Sequence, residues 1–205
     1  MMLPTHVLGG MLLAAPLVRV APELAPIGFV AGFLGGLFPD LDMYVGHRKT
    51  LHFPVYYSLL AAIALVAALA VPSAATVAAA LFLLGAALHS VADMYGGGLE
   101  LRPWEGNSDR AVYDHHREKW IAPRRGVRYD GAVEDLALSV GLALPLLYLL
   151  DTPLRRVVLG TLLVAAVYTV TRRYLAELAA RITPYAPATL LPYLPDRYHD
   201  DDASR

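Results

Sequence analysis

Apolar residues in this chain come in long runs divided by short polar breaks, and the runs define the expected elements. Phe53 to Val71 is a near-uninterrupted apolar stretch, and Ala74 to Tyr95 is a second, broken only near its end by His89 and Asp93. At a helical rise of about 1.5 Å per residue, each is long enough to cross about 30 Å of hydrocarbon. Ala132 to Leu150 and Val157 to Val170 read as two more spans, the last one short. His6 to Val20 and Leu24 to Phe38 are shorter, and Gly28, Gly32, Gly35 and Gly36 enrich the second in glycine. Such segments suit close helix packing or a re-entrant hairpin, and in either arrangement their outer ends share a side. The expected fold is all-α, a polytopic transmembrane helical bundle of about 4–6 membrane segments.

The polar stretches complete the plan. Gly96 to Gly131 is rich in Arg, Asp, Glu, Trp and Tyr, too polar for a bilayer and too long for a turn, so residues 96–131 read as one long cytoplasmic loop. Residues 1–182 then form a single membrane domain. Residues 183–205 carry Pro184, Pro187, Pro192 and Pro195 and end in Asp200, Asp201 and Asp202, a composition expected of an extended, partly disordered tail that begins after Arg172. Leu8 to Val18 has the length of a signal-peptide core, but no basic residue precedes it, so it is expected to stay in the mature protein.

Composition sharpens this reading. Hydrophobic residues make up 57% of the 205, above the roughly 45–50% of soluble domains, and charged residues only 17%. With no cysteine, disulfides, thiolate metal sites and a cysteine nucleophile are excluded, so any metal must use His and carboxylates. A net charge of −1 makes no global electrostatic case for nucleic acid; the expected partners are membrane lipids and a small-molecule or lipid substrate. If six segments alternate, all of the 17 Lys and Arg except Arg19, Arg155 and Arg156 fall on one side. The positive-inside rule then predicts a multi-pass protein of the cell membrane with both termini and the long loop cytoplasmic.

Seven polar residues interrupt or flank the spans: His6, Asp40, Asp42, His47, His52, His89 and Asp93. Alone, each has an ordinary reading: His6 an interfacial or capping residue, Asp40 a turn cap, His47 with Arg48 and Lys49 a basic loop. On the predicted topology, however, all seven land at the cytoplasmic ends of segments, and ionisable groups in spans are costly and usually functional. His89 and Asp93 are four apart and share a helix face, while Asp40 and Asp42 flank Leu41 after Pro39, where an extended backbone would alternate and let one carboxylate ligate while the other supports or bridges. His and Asp without thiolate suit zinc or manganese. The expected metal ligands are His6, Asp40, His47, His52, His89 and Asp93.

These residues also carry a resemblance. His6, then Leu37-Phe38-Pro39-Asp40-Leu41-Asp42, Gly46-His47-Arg48-Lys49-Thr50-Leu51-His52, His89-Ser90-Val91-Ala92-Asp93 and Leu101-Arg102-Pro103-Trp104, in that order, resemble the YdjM-like family over residues 1 to 104. Its members are described as inner-membrane, metal-dependent hydrolases, so the resemblance implies membrane location and metal-dependent hydrolysis. The family usually has Thr-His-Ser where this chain has Thr50-Leu51-His52-Phe53, a shift of one residue.

The expected activity is hydrolysis at the cytoplasmic face, of a phosphoester or lipid-linked substrate. Asp42 is the expected general base or bridging carboxylate, and Arg48 and Lys49 would hold an anion against the metal. Asp114, His115 and His116 offer a second source of ligands or of a proton donor, with a solvated loop as the favoured reading, and Trp104, Tyr113, Trp120 and Tyr129 are expected to anchor the loop at the interface. The rival is a non-catalytic membrane protein, a metal transporter or partner-binding scaffold with a structural metal site.

Overall fold

The computed structural model describes residues 1–187, 189 and 194. The described chain is mostly helical. Helix α1 (Leu3–Leu12) bends through the turns around Pro16 into the short α2 (Leu17–Val20), and α3 (Ala25–Leu37) follows a 3₁₀ turn at Pro22–Leu24. A second 3₁₀ turn, Phe38–Asp42, ends α3, and a loop leads to α4 (Pro54–Ala70). Helix α5 (Ala74–Ala92) opens on a reciprocal cap between Ser73 and Thr76 and closes in a 3₁₀ turn at Asp93–Tyr95. Then come a two-stranded antiparallel hairpin, β1 (Val112–Asp114) and β2 (Lys119–Ile121), and helices α6 (Val133–Leu149) and α7 (Thr152–Ile182).

Among the described residues, four helical stretches are long and apolar enough to cross a membrane: Leu3–Val20, Pro22–Asp42, Ala74–Tyr95 and Thr152–Tyr185. Pro54–Ala70 is apolar but shorter, 17 residues or about 25 Å of helix, because Pro54 and the Pro72-Ser73 turn bound it. Helices α4 and α7 leave large apolar side chains outside, with Ile63 68% and Val170 82% exposed.

Two expectations for the C-terminal part need correction. Val157 to Val170 is not a short span but part of the 31-residue α7, and the chain after Arg172 is helical to Ile182 rather than extended. Arg172, Arg173 and Glu177 end the apolar run without ending the helix. Buried Arg172 pairs with Asp130 at 2.9 Å and Glu177 with Arg102 at 3.0 Å, so this stretch docks its polar side on the long loop. The loop is also not structureless, since it holds the hairpin β1–β2. The acidic end Asp200–Asp202, with Pro192 and Pro195, lies outside the described residues.

Glycines set the central crossing. A Cβ on Gly10 or Gly85 would meet the carbonyl of Gly32, one on Gly35 that of Phe82, and one on Gly36 that of His6. Helices α1, α3 and α5 thus touch backbone to backbone, as small residues permit in bundles. Leu8, Met11, Phe29, Leu81, Leu146 and Val158 fill the core beside this crossing, and Tyr57 and Ala61 pack α4 onto Ala86 and Ala87 of α5. Helix α6 anchors the start of α1: Asp135 accepts hydrogen bonds from Met2 N at 2.7 Å and from the Thr5 hydroxyl at 2.6 Å. The crossing brings the first turns of α1 and the last turns of α3 and α5 to one end of the bundle.

Candidate metal centre

At that end the chain gathers four ligand atoms. Asp40 comes from the turn after α3, His52 from the residues before α4, and His89 and Asp93 from one face of the last turns of α5. His52 Nε2 lies 3.2 Å from His89 Nε2, 3.4 Å from Asp93 Oδ2 and 3.8 Å from Asp40 Oδ1. His89 Nε2 lies 3.3 Å from Asp40 Oδ1 and 3.6 Å from Asp93 Oδ2. A tetrahedral site with bonds of about 2.0–2.2 Å has edges of roughly 3.3–3.6 Å, so these separations suit one ion held by four atoms.

The hydrogen bonds behind the rings point the same way. His89 Nδ1 is 2.6 Å from the Gly36 carbonyl, which can only accept, so Nδ1 bears the proton. His52 Nδ1 likewise donates to Asp42 Oδ2 at 3.0 Å. As neutral rings, both turn bare Nε2 lone pairs toward each other, an arrangement that a shared cation relieves and that a mutual hydrogen bond cannot. Arg48 Nε lies 3.2 Å from Asp93 Oδ2 without hydrogen-bond alignment.

His6 and His47, expected as ligands, stand behind the four. His6 Nε2 meets the far oxygen of Asp93 at 2.9 Å, where the Met1 amine also donates at 2.6 Å, and its ring stacks on His89 with centroids 3.6 Å apart. His47 Nδ1 lies 2.9 Å from Asp42 Oδ1 and 4.0 Å from Asp40. Asp42, expected as a base or bridge, is enclosed: besides His47 and His52 it accepts from Leu51 N at 3.0 Å and Arg48 N at 3.3 Å. The geometry makes it the carboxylate that orients His52. The turn bearing Asp40 and Asp42 is 3₁₀ rather than extended, and that winding is what sends the two side chains apart.

Arg48 and Lys49 separate. Arg48 is buried in a left-handed conformation (φ 59°), and such strain persists where the surroundings over-determine it. Here its N–H binds Asp42, its carbonyl accepts from Tyr113 N at 3.0 Å, and its Nη1 donates to the Gly97 carbonyl at 2.8 Å. Burial alone would lower the pKa of its guanidinium, but Asp93, and beyond it Asp130 and Asp40, raise it above the ordinary Arg value. Lys49 is exposed with its ammonium over the Tyr113 ring, so the expected anion clamp loses one member. The loop keeps its ring nitrogens and carboxylate elsewhere: His115 bonds the Lys49 carbonyl at 2.7 Å, and Asp114 accepts from the backbone of His116 and Arg117. Trp104 stacks edge-on with Tyr129 and Trp120 with Tyr113.

Other participants carried weaker signals. The Gly36 carbonyl leaves no trace in a one-letter sequence. Asp130, bonded by Arg172 and by the Tyr168 hydroxyl, was detectable through Arg172, since an Arg following an apolar span demands a partner.

A cavity of about 520 Å³ reaches the centre from one side, with Asp40, His47 and Arg48 in its polar wall. Of the four clustered residues Asp40 alone lines it; its side chain is 13% exposed against 1% or less for the others. No family model, curated protein or solved structure matches this chain.

Proposed function

We propose that this chain is a membrane-bound hydrolase that uses a single divalent ion, zinc by ligand geometry, at the cytoplasmic end of a helical bundle. The observation that carries the proposal is the set of near-equal separations among Asp40, His52, His89 and Asp93, next to a cavity that, of these four, only Asp40 lines. The long apolar helices and their exposed Ile, Leu and Val side chains support the membrane setting, and the ordered resemblance to the YdjM-like family supports hydrolysis.

His52, His89 and Asp93, the fully buried members of the cluster, would hold the ion, a two-nitrogen, one-carboxylate set of the kind found in catalytic zinc sites. Bound there, the ion supplies Lewis acidity, lowering the pKa of a water and polarising the scissile group. Asp40 faces the cavity and takes the proton from the attacking water. Arg48, fixed by Asp93 and Gly97, keeps a permanent positive charge on the cavity wall and offsets charge developing on the substrate. Asp42 fixes the tautomer of His52, and the Gly36 carbonyl that of His89.

One observation favours a second reading. The four atoms approach a closed tetrahedron, as in structural zinc sites, where Asp40 would be the fourth ligand of a non-catalytic protein. Metal analysis of detergent-purified protein, with a hydrolysis screen over phosphoesters, carboxylic esters and amides, separates the two. One equivalent of zinc with turnover that chelation removes supports the hydrolase; one equivalent that neither exchanges nor supports turnover on any substrate refutes it.

A further inference from the structure

The cavity does not stop at the polar wall. From α7 it is lined by Val157, Gly160, Thr161, Val164 and Tyr168, the i, i+3, i+4, i+7, i+11 stripe of a single helix face. From α3 it is lined by Phe33, Leu37 and, one turn on, Asp40 itself, with Val7 of α1 as its floor. One groove therefore runs from Asp40, at the edge of the metal centre, into the apolar middle of the bundle. Along α7 its length is about 16 Å, from the Tyr168 level down to Val157. The charged and titratable groups Asp40, His47, Arg48 and Asp130 gather at the end where the long loop packs, and the far end is apolar except for Thr161, whose hydroxyl donates to the Val157 carbonyl. Val157, Gly160 and Val164 are exposed, so the groove is open along its side toward the surface where large apolar side chains lie bare.

We infer that the substrate is an amphiphile with one long hydrocarbon chain, which lies in this groove between α3 and α7 and places an ester, carboxylic or phosphoric, beside Asp40. The inference rests on the hydrolase reading and deepens it. Continuity decides the occupant: a polar substrate would leave the apolar length unfilled, and a wholly apolar one would place no scissile group beside Asp40. The volume falls within the roughly 300–1,000 Å³ of small-molecule pockets, which suits one chain and head group.

Gly160 provides the test. A Cβ there meets nothing within 4 Å, and leucine has higher helix propensity than glycine, so Gly160→Leu blocks the groove without straining α7. Gly141 on α6 is equally open but does not line the groove, which makes Gly141→Leu the matched control. The probes are p-nitrophenyl carboxylates and alkyl p-nitrophenyl phosphates, each with a butyl-length or a palmityl-length chain, assayed on the zinc-loaded protein. A palmityl phosphate bearing a diazirine near its chain end reports binding without turnover.

For the long-chain probe of whichever ester is cleaved, Gly160→Leu should lower kcat/KM by about tenfold or more, leaving the short-chain probe within about twofold. Gly141→Leu should leave both unchanged. Photolabel should fall on α7 around Val157–Val164 in the parent and leave that stretch in Gly160→Leu. Long-chain turnover untouched by Gly160→Leu, or label spread evenly over the exposed helices in both proteins, overturns the inference. If neither ester is cleaved even by the parent, the hydrolase reading fails, and the photolabel still decides whether the groove holds a chain.

Discussion

Asp42 is where the structure departs most from an obvious chemical guess, and Asp42→Asn tests the difference. Four groups surround this carboxylate: His47 and the Arg48 N–H on Oδ1, His52 and the Leu51 N–H on Oδ2. An asparagine has one accepting oxygen. If it faces His52 and Leu51, the ring keeps a neutral bond in place of a charge-assisted one; if the amide turns, His52 loses its acceptor. Hydrogen bonds to charged groups contribute about 1.5–3 kcal/mol against about 0.5–1.5 for neutral ones, so each orientation weakens the hold on His52. Partners behind metal ligands typically affect affinity by about 10–100-fold, equivalent to about 1.4–2.7 kcal/mol. Titration of detergent-solubilised Asp42→Asn with zinc against a chromophoric chelator should show a loss in that range, with His52→Ala losing more. Were Asp42 the general base, Asp42→Asn would bind zinc as the parent does and lose only turnover. Zinc affinity within about twofold of the parent would therefore refute the orienting role.

Asp40→Ala should keep most of the bound zinc, since three buried ligands remain, while losing turnover; loss of the metal would instead make Asp40 a fourth ligand of a closed site. Gly36→Ala would bring a Cβ within 2.9 Å of Val7 Cα, so it should cost about 1–3 kcal/mol of stability, seen as a lower Tm, and weaken zinc binding by shifting the carbonyl that holds His89. Because the chain has no native cysteine, single Lys49→Cys and Ser73→Cys variants test topology: a membrane-impermeant maleimide should reach Lys49→Cys only from the cytoplasmic side and Ser73→Cys only from the other.

Hydropathy made the long helices legible because burial in lipid or core imposes the same apolar composition over about 20 residues. The same signal failed in α7, where Arg172 and Glu177 look like the end of a span until Asp130 and Arg102 supply their partners from more than forty positions away. In the centre, His52, His89, Asp93 and Asp40 were readable as ionisable residues at the ends of apolar runs. The difference between a ligand and its support was not. Asp40 and Asp42 are chemically identical and two residues apart, and only the 3₁₀ winding of Phe38–Asp42 decides which faces the cluster. The separation of Arg48 from Lys49 has a similar origin, in a left-handed residue that neighbouring side chains hold in place.

The electrostatics of the bundle end argue for an ion independently of the ligand geometry. Asp93 and Asp42 are buried outright and Asp40 nearly so, while among the described residues Arg48 and the Met1 amine are the cations beside Asp93. Removing carboxylates from water costs several kcal/mol each, and breaking such clusters is unfavourable because the residual charge has no solvent to turn to. Protonating one of the two rings would join His52 and His89 by a hydrogen bond at 3.2 Å but add only a single charge, and protonating both would set them proton to proton. A divalent cation would satisfy both facts at once, neutralising Asp93 and Asp40 while occupying the two bare nitrogens. It would do so where α1, α3 and α5 can meet only because glycine lets their backbones touch. The close crossing that assembles the centre also leaves α1 recessed between α3 and α7, and the recess is the groove that ends on Asp40.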